Sequence, residues 1–478
     1  MRRRDFIKTT GLLSTGMVIT GSQAVASTLF NKEFTSQRPA VSDRNFTSEA
    51  VEKVIKKVAK KIVDPELRWM FENCYPNTLD TTIEFTKKNG RPDTFVITGD
   101  IPAMWLRDST AQVWPYLPLA NDDKNLKTMI KGLVNRQADC IQLDPYANSF
   151  EKDETVMSKW SKTDHTDMKP GTHERKWEID SLCYAVRLAN GYWKTTGDAS
   201  IFDENWQKSA KLILKTFKEQ QRKDGVGPYT FFRTTSKHED TLANWGAGAS
   251  IKPCGLIVSS FRPSDDSTVF PFLIPSNYFA VASLNQLVDI YTNVIGDTSF
   301  AKECADLAEE VKAALAKYAV KDHLDYGKMI PFEVDGYGNQ YCMDDANVPS
   351  LLALPYLDCI DADDPLYVAT RKFVWSEDNP YFFKGKFEGI GGPHVGLDYV
   401  WPMSIIQKGL TSNDAEEIKW CLSKLKETHA GTGFMHESFH KDNPEKFTRS
   451  WFAWANTLFG ELVFKTYQEY PEVLKSKI

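Results

Sequence analysis

These 478 residues contain no Cys-x-x-Cys pair, no Gly-x-Ser-x-Gly elbow, no Walker-type phosphate loop and no dinucleotide fingerprint behind a strand. Serine and cysteine nucleophiles, nucleoside triphosphates and nicotinamide cofactors are thereby left without a recognisable setting. Basic runs are missing after the first few residues and the net charge is −6, which argues against nucleic acid as a partner. Low-complexity tracts are absent. The eight cysteines stand apart, at 74, 140, 183, 254, 304, 342, 359 and 421. Those around Cys183 and Cys421 sit in apolar helical context and read as small buried hydrophobes rather than a disulfide framework or a zinc knuckle; one or two pairings stay open.

What the chain does have begins with an address. Arg3-Arg4-Asp5-Phe6-Ile7-Lys8 fits a twin-arginine export pattern, followed by a mildly apolar run from Gly11 to Thr20 and an Ala24-Val25-Ala26 cleavage site. That run is too short to span a bilayer. Residues 1–26 are therefore expected to be a signal peptide, 27–47 a polar disordered segment, and 48–478 a single catalytic domain. The mature protein is expected in the periplasm or outside the cell, with no membrane-spanning part.

Helical periodicity dominates from residue 49 onward. Segments are expected at 49–72, 105–119, 122–143, 177–196, 198–222, 276–295, 298–318, 344–354, 364–375, 396–409, 412–426 and 448–469. Taken in pairs they suggest a closed ring of hairpins, an (α/α)6 barrel. Long aromatic, glycine-bearing loops at 80–104, 144–176, 223–275, 319–343 and 376–395 carry some strand-like runs and would wall one end of it. Aromatic residues reach 12%, with 13 tryptophans, a supply that fits core packing and also the floors of sugar-binding clefts.

Five stretches carry chemistry-bearing residues. Thr98–Leu117, TGDIPAMWLRDSTAQVWPYL, places Trp105, Arg107 and Asp108 where a helix begins, with Asp108 and Ser109 suited to its start. An indole face, a five-donor guanidinium and a carboxylate together can hold a polyhydroxylated ring; the plainer alternative is a buried Arg107–Asp108 pair. In SSFRPSDDSTVFPFLIP, Asp265 and Asp266 precede an apolar run. A carboxyl sheltered by Phe261, Phe270 and Phe272 would be disfavoured as an anion and suited to donate a proton, against a capping turn as the alternative. GTGFMHESFH holds Glu437 within a formal His-Glu-x-x-His match, His436 to His440, with Glu461 downstream as a third zinc ligand. Glycines before the motif and Asp442-Asn443-Pro444 after it point to a loop, whereas a zinc peptidase needs both histidines on one face of a helix. GIGGPHVGLDYVWP offers His394 and Trp401 beside close-approach glycines, and Trp177-Glu178-Ile179-Asp180 adds two carboxylates at a helix start.

Together, TGDIPAMWLRDSTAQVWPYL, HERKWEIDSLCY, SSFRPSDDSTVFPFLIPSN, GIGGPHVGLDYVWPMS and GFMHESFH resemble glycoside hydrolase family 125, the metal-independent exo-α-1,6-mannosidases. The resemblance spans residue 98 to about 440. It implies an (α/α)6 barrel, inversion of the anomeric centre, no metal or other cofactor, and a mannose-containing glycan as partner. By resemblance the general acid is Asp265, with Asp266 as the other choice, and the general base is Glu437. Arg107 and Asp108 become ligands of the terminal mannose, with Trp105, Asp266, His394 and Trp401 as further substrate contacts. Inversion requires room for a water between the two carboxyl groups, roughly 6.5–9.5 Å. A zinc metallopeptidase and a non-catalytic glycan-binding protein are the rival readings.

Overall fold

Acidic or hydroxyl side chains start seven of the helices, and a second set starts without them; this difference sorts the architecture. The computed structural model describes residues 34–478. The expected signal peptide, 1–26, lies outside the described residues. Thirteen α-helices occur among those described: α1 (Glu49–Ala59), α2 (Pro65–Cys74), α3 (Asn77–Thr81), α4 (Leu106–Val113), α5 (Lys124–Leu143), α6 (Ile179–Thr196) and α7 (Glu204–Gln220) in the first half. Then come α8 (Ile274–Ile290), α9 (Thr298–Tyr318), α10 (Pro365–Val374), α11 (Pro402–Leu410), α12 (Ala415–Thr428) and α13 (Ala453–Glu469). Ser48, Asp64, Asp123, Asp203, Asp297, Asp364 and Asp414 accept first-turn N–H groups of α1, α2, α5, α7, α9, α10 and α12. By contrast α4, α6, α8, α11 and α13 start on Trp105, Glu178, Leu273, Trp401 and Phe452, with no side-chain cap.

The uncapped helices pack on one another. α6 lies against α4 and α8, and α4 lies against α13, which in turn meets α11. Capped helices back them: α5 on α6, α9 on α8, α12 on α11 and α2 on α13. Burial agrees with this order. Every residue of α4 is buried, whereas α1 buries Val51, Ile55 and Val58 and turns its lysines to solvent. Each fully buried Leu, Ile or Phe along these seams contributes about 1.5–3 kcal/mol, so the doubly packed helices hold most of the core.

The long loops are not structureless. Met104–Trp105, Ser149–Phe150 and Thr172–Glu174 form one antiparallel three-stranded sheet, and Tyr399–Val400, Ser438–His440 and Asn443–Thr448 form another. An isolated bridge joins Gly99 to Phe452. Gly99 has φ +124°, and a Cβ there would lie 2.3 Å from the carbonyl oxygen of Trp451.

Several boundaries differ from the sequence-based expectation, each for a local reason. The segment at 49–72 is two helices, because Asp64 caps the second and Pro65 supplies its first residue. The expected helix at 344–354 is a run of turns. Pro349 and Pro355 cannot donate backbone N–H groups there, and Asp344 takes the N–H groups of Leu351 and Leu352 at 2.8 and 3.0 Å instead. Residues 396–409 and 448–469 open on turn and short extended segments and become helical only at Pro402 and Ala453. α4 starts on Trp105, so Asp108 and Ser109 lie inside its first turn rather than capping it. Of the polar stretch expected to be disordered, 36–47 is anchored instead. Arg38, buried against Asp80 and Glu52, donates from Nε to Asp80 at 2.7 Å; charge pairing supplies what apolar burial does not.

Gly99→Ala is expected to destabilise the protein clearly more than Gly197→Ala. Gly197 also has positive φ, but nothing lies within 4 Å of its Cβ position, so that change costs only the left-handed penalty of about 1–2 kcal/mol. Urea unfolding midpoints of the two variants check this.

Candidate active site

Three of the uncapped helix starts converge on a cavity of about 350 Å³. Trp105, Arg107 and Asp108 come from the start of α4, Trp401 from that of α11, and Phe452 and Trp454 from that of α13. Asp265, His394 and Glu437 reach it from the loops. Of the eight residues to which the resemblance gives catalytic or substrate-binding roles, only Asp266 does not line this cavity. It is buried behind Asp265, where it accepts from Nδ1 of His394 at 3.0 Å.

Arg107 is the centre of the acid side. Its Nη1 donates to Glu178 at 2.5 Å and to Asp180 at 3.3 Å, its Nη2 to Asp265 at 3.4 Å, and its Nε lies 3.5 Å from Asp108. The plain Arg107–Asp108 pair is thus one edge of a larger cluster. Asp265 stands on a tight loop in left-handed conformation, φ +66°, which aspartate tolerates better than most side chains. The loop is braced from outside: Arg262 donates to Glu333 at 2.7 Å, and Glu333 also receives the N–H groups of Val269 and Phe270. Asn148 donates to Asp265 at 2.9 Å, and the ammonium of Lys176 reaches its carbonyl oxygen at 2.6 Å.

The expected apolar shelter for Asp265 is not what governs its charge. Burial alone would raise its pKa, but Arg107, Lys176, a hydrogen bond from Glu178 and His394 outweigh it and hold the carboxyl well below the ordinary carboxylate range. Glu178 is the opposite: fully buried, it is pushed well above its ordinary value by burial and by Asp265 and Asp180, despite Arg107. Asp108 is raised to about 6, chiefly by burial.

The base side is assembled from the other end of the chain. Glu437 precedes strand Ser438–His440; the hydroxyl of Thr448 donates to it at 2.9 Å, and Arg449 lies 3.5 Å from it. Arg449 also donates to Asp100 and, at 3.2 Å, to Thr98. Between the two sides stands His394. Its burial would favour the neutral ring, but Asp266, Glu437 and Asp265 raise it to about 9, so it is a cation at neutral pH.

The zinc arrangement is overturned by the backbone. His436 stands two residues before the strand Ser438–His440 and His440 at its end, so the two rings do not share one face of a helix as zinc would require. His436 stacks on Phe447 with centroids 3.7 Å apart, His440 meets Tyr399, and Glu461 on α13 bonds the hydroxyl of Tyr356. Among the described residues no group of three or more His, Cys, Asp or Glu is placed to hold a metal ion. All eight cysteines are unpaired, five of them buried.

Residues 64–464 match the family described as Metal-independent alpha-mannosidase (GH125). The chain belongs to this family. It is a glycoside hydrolase. It is 42% identical over 459 residues to the Meiotically up-regulated gene 157 protein of Schizosaccharomyces pombe, covering 92% of this chain and 90% of that one. A Streptococcus pneumoniae metal-independent alpha mannosidase, solved as a non-productive substrate complex with alpha-1,6-mannobiose, is 44% identical with a TM-score of 0.85, covering 89% of this chain and 99% of that one. A bacterial glucoamylase complexed with acarbose shares the fold alone, at 12% identity and TM-score 0.51, covering 88% and 59%.

In this GH125 chain, sequence reasoning missed Asn148, Lys176, Thr448 and Arg449. Lys176 stands one residue before the Trp177–Asp180 stretch and could have been found by extending it. Arg449 has a weaker signal, a basic residue just before the aromatic start of α13. Asn148 has none.

The charge on His394 predicts a pH signature. A group raised in the folded state stabilises it fully below its unfolded pKa, about 6.5, and this is lost as pH rises through about 9. Thermal midpoints measured across that window should fall in the wild type. In His394→Asn this component of the fall should be missing.

Proposed function

We propose that this enzyme removes terminal α-1,6-linked mannose from the ends of glycans with inversion, Asp265 acting as general acid and Glu437 as general base. The observation that carries the reading is that both carboxyls open into one cavity in a GH125 chain, with the imidazolium of His394 near each. The family supports mannose as the sugar. The mannobiose held by the S. pneumoniae relative supports the linkage. At about 350 Å³ the cavity is at the small end of ligand pockets, which suits a chain end rather than a polymer passing through.

In this mechanism the acid carboxyl protonates the leaving oxygen as the glycosidic bond breaks, while Glu437 takes a proton from water attacking the opposite face. Thr448 and Arg449 fix the direction of Glu437. Arg107, Asp108 and the indoles of Trp105 and Trp401 hold the ring hydroxyls and C–H faces, so that the sugar reaches the oxocarbenium-like state without reorganising its surroundings. Asp266 serves by holding His394 rather than by touching sugar. We further read the packed uncapped helices with their capped partners as a closed (α/α)6 ring, and residues 1–26 as a leader exporting the protein to the periplasm or beyond. The glucoamylase-like fold supports the first, and the twin-arginine pattern the second.

Asp265→Asn and Glu437→Gln should each lower kcat on α-1,6-mannobiose by about 10²–10⁴-fold with little change in thermal midpoint. NMR of the wild-type reaction, run with a chelator present, should show β-mannose as the first product. α-Mannose first would overturn inversion, and loss of turnover in Asp266→Asn but not Asp265→Asn would move the acid to the neighbouring residue.

A further inference from the structure

The acid side holds more carboxyls than the reaction requires, and one is sealed. Glu178 and Asp265 share two donors: Arg107 gives Nη1 to the first and Nη2 to the second, and Nδ2 of Asn148 lies 3.4 Å from Glu178 and 2.9 Å from Asp265. Glu178 is completely buried, whereas the side chain of Asp265 is 23% exposed at the cavity. Glu178 cannot touch a substrate, and Asp265 can. From this geometry we infer that Glu178 is a positioning residue for the acid: the two carboxyls hold one proton between them, and Glu178 keeps that proton in the site for Asp265 to deliver. This rests on the reading of Asp265 as general acid.

The physical need is specific. Asp265 faces the guanidinium of Arg107 on α4, the ammonium of Lys176 and the ring of His394. A lone carboxyl among these cations would be ionised at neutral pH and unable to donate. Adding a second carboxyl changes this, because two anions on the same donors, one of them sealed from solvent, disfavour each other, and the pair retains a proton as a unit. The other groups facing Glu178 are Asp180 on its own helix, the hydroxyl of Ser181, which donates at 2.9 Å, and Asn148. Asp108 also faces Arg107, and Tyr229 packs nearby. In the free protein burial favours the neutral form of Glu178 and the surrounding cations favour the charged form of Asp265, which puts the shared proton on the Glu178 side of the pair.

The step balances. As the glycosidic C–O bond breaks, its electron pair goes to the leaving oxygen, and the proton held by the pair passes to that oxygen through Asp265. The pair changes from one negative charge to two, against Arg107, Lys176 and His394. Water adds to the anomeric carbon and gives its proton to Glu437. After product leaves, Glu437 returns a proton to solvent and the pair takes one up.

The test compares α-1,6-mannobiose, whose leaving group needs protonation, with 2,4-dinitrophenyl α-mannoside, whose leaving group does not. In the wild type, mannobiose turnover should persist through neutral pH and fall only above it. A fall already complete below neutral pH would overturn the proposal without recourse to any variant. Glu178→Gln, which keeps an acceptor for Arg107, should lower mannobiose turnover at neutral pH by about a hundredfold and move the alkaline limb to lower pH. Its loss on the dinitrophenyl substrate should be much smaller, and Glu178→Asp should restore part of the limb. Equal losses on both substrates with an unmoved limb would mean that Glu178 merely supports Arg107, and would sink the proposal. Asp265→Asn separates the two readings: if it depresses both substrates equally, the acid assignment itself fails. If it spares the dinitrophenyl substrate while Glu178→Gln leaves the limb in place, only the shared proton fails.

Discussion

The active-site cavity depends on the placement of one guanidinium. Arg107 is almost fully buried and is approached by four carboxyl groups, from its own helix, from the start of α6 and from the Asp265 loop. Burying so many acids together is costly by several kcal/mol each when unpaired, and the one guanidinium ties three chain segments to a single point. The cluster is therefore poor as a source of stability and effective as a device for orientation. It joins α4, α6 and the acid loop at the point where a sugar must be gripped, and it leaves carboxyls of unequal proton affinity side by side.

Helix starts explain why the cavity lies where it does. Seven helices close their first turn with a side-chain oxygen, and six begin bare, α3 on Pro76 and the other five on aromatic, leucine or glutamate residues. The bare starts of α4 and α6 put first-turn N–H groups and the positive ends of the helix dipoles beside the acidic cluster. Asp108 and Asp180 lie in those two first turns and benefit from them. The same residues that fail to cap, Trp105, Trp401 and Phe452, line the cavity, so capping capacity has been exchanged for aromatic surface.

Much of this was legible in the sequence. Trp105, Arg107, Asp108, Asp265, His394, Trp401 and Glu437 were singled out from residue type and local context, and all line one cavity. What escaped was of two kinds. Some positions act through long-range closure, such as Arg449 meeting Asp100, or Asn148 bridging two carboxyls; nothing in local periodicity encodes a partner 30 to 349 residues away. Others followed a rule that tertiary packing overrode. Phe261 is fully buried near Asp265, yet cations rather than rings set the state of that carboxyl. The His436–His440 spacing satisfied a pattern whose chemistry requires a helix, and the backbone there is extended. At 344–354 the apolar spacing was helical, but two prolines and the capture of N–H groups by Asp344 broke it.

The clasp between the two ends of the domain has an ordering consequence. The acid half of the site is contained in residues 105–266, whereas Glu437 is aimed by Thr448 and Arg449. Arg449 and the start of α13 are themselves fixed by Thr98, Gly99 and Asp100. A chain leaving the ribosome therefore carries every carboxyl of its acid cluster long before its water-activating partner exists. Hydrolytic competence arrives only when the last helix docks: a C-terminally clipped molecule loses Phe452 and Trp454 from the cavity wall and the α13 face on which α4 packs, together with the Thr448 and Arg449 side chains that aim Glu437.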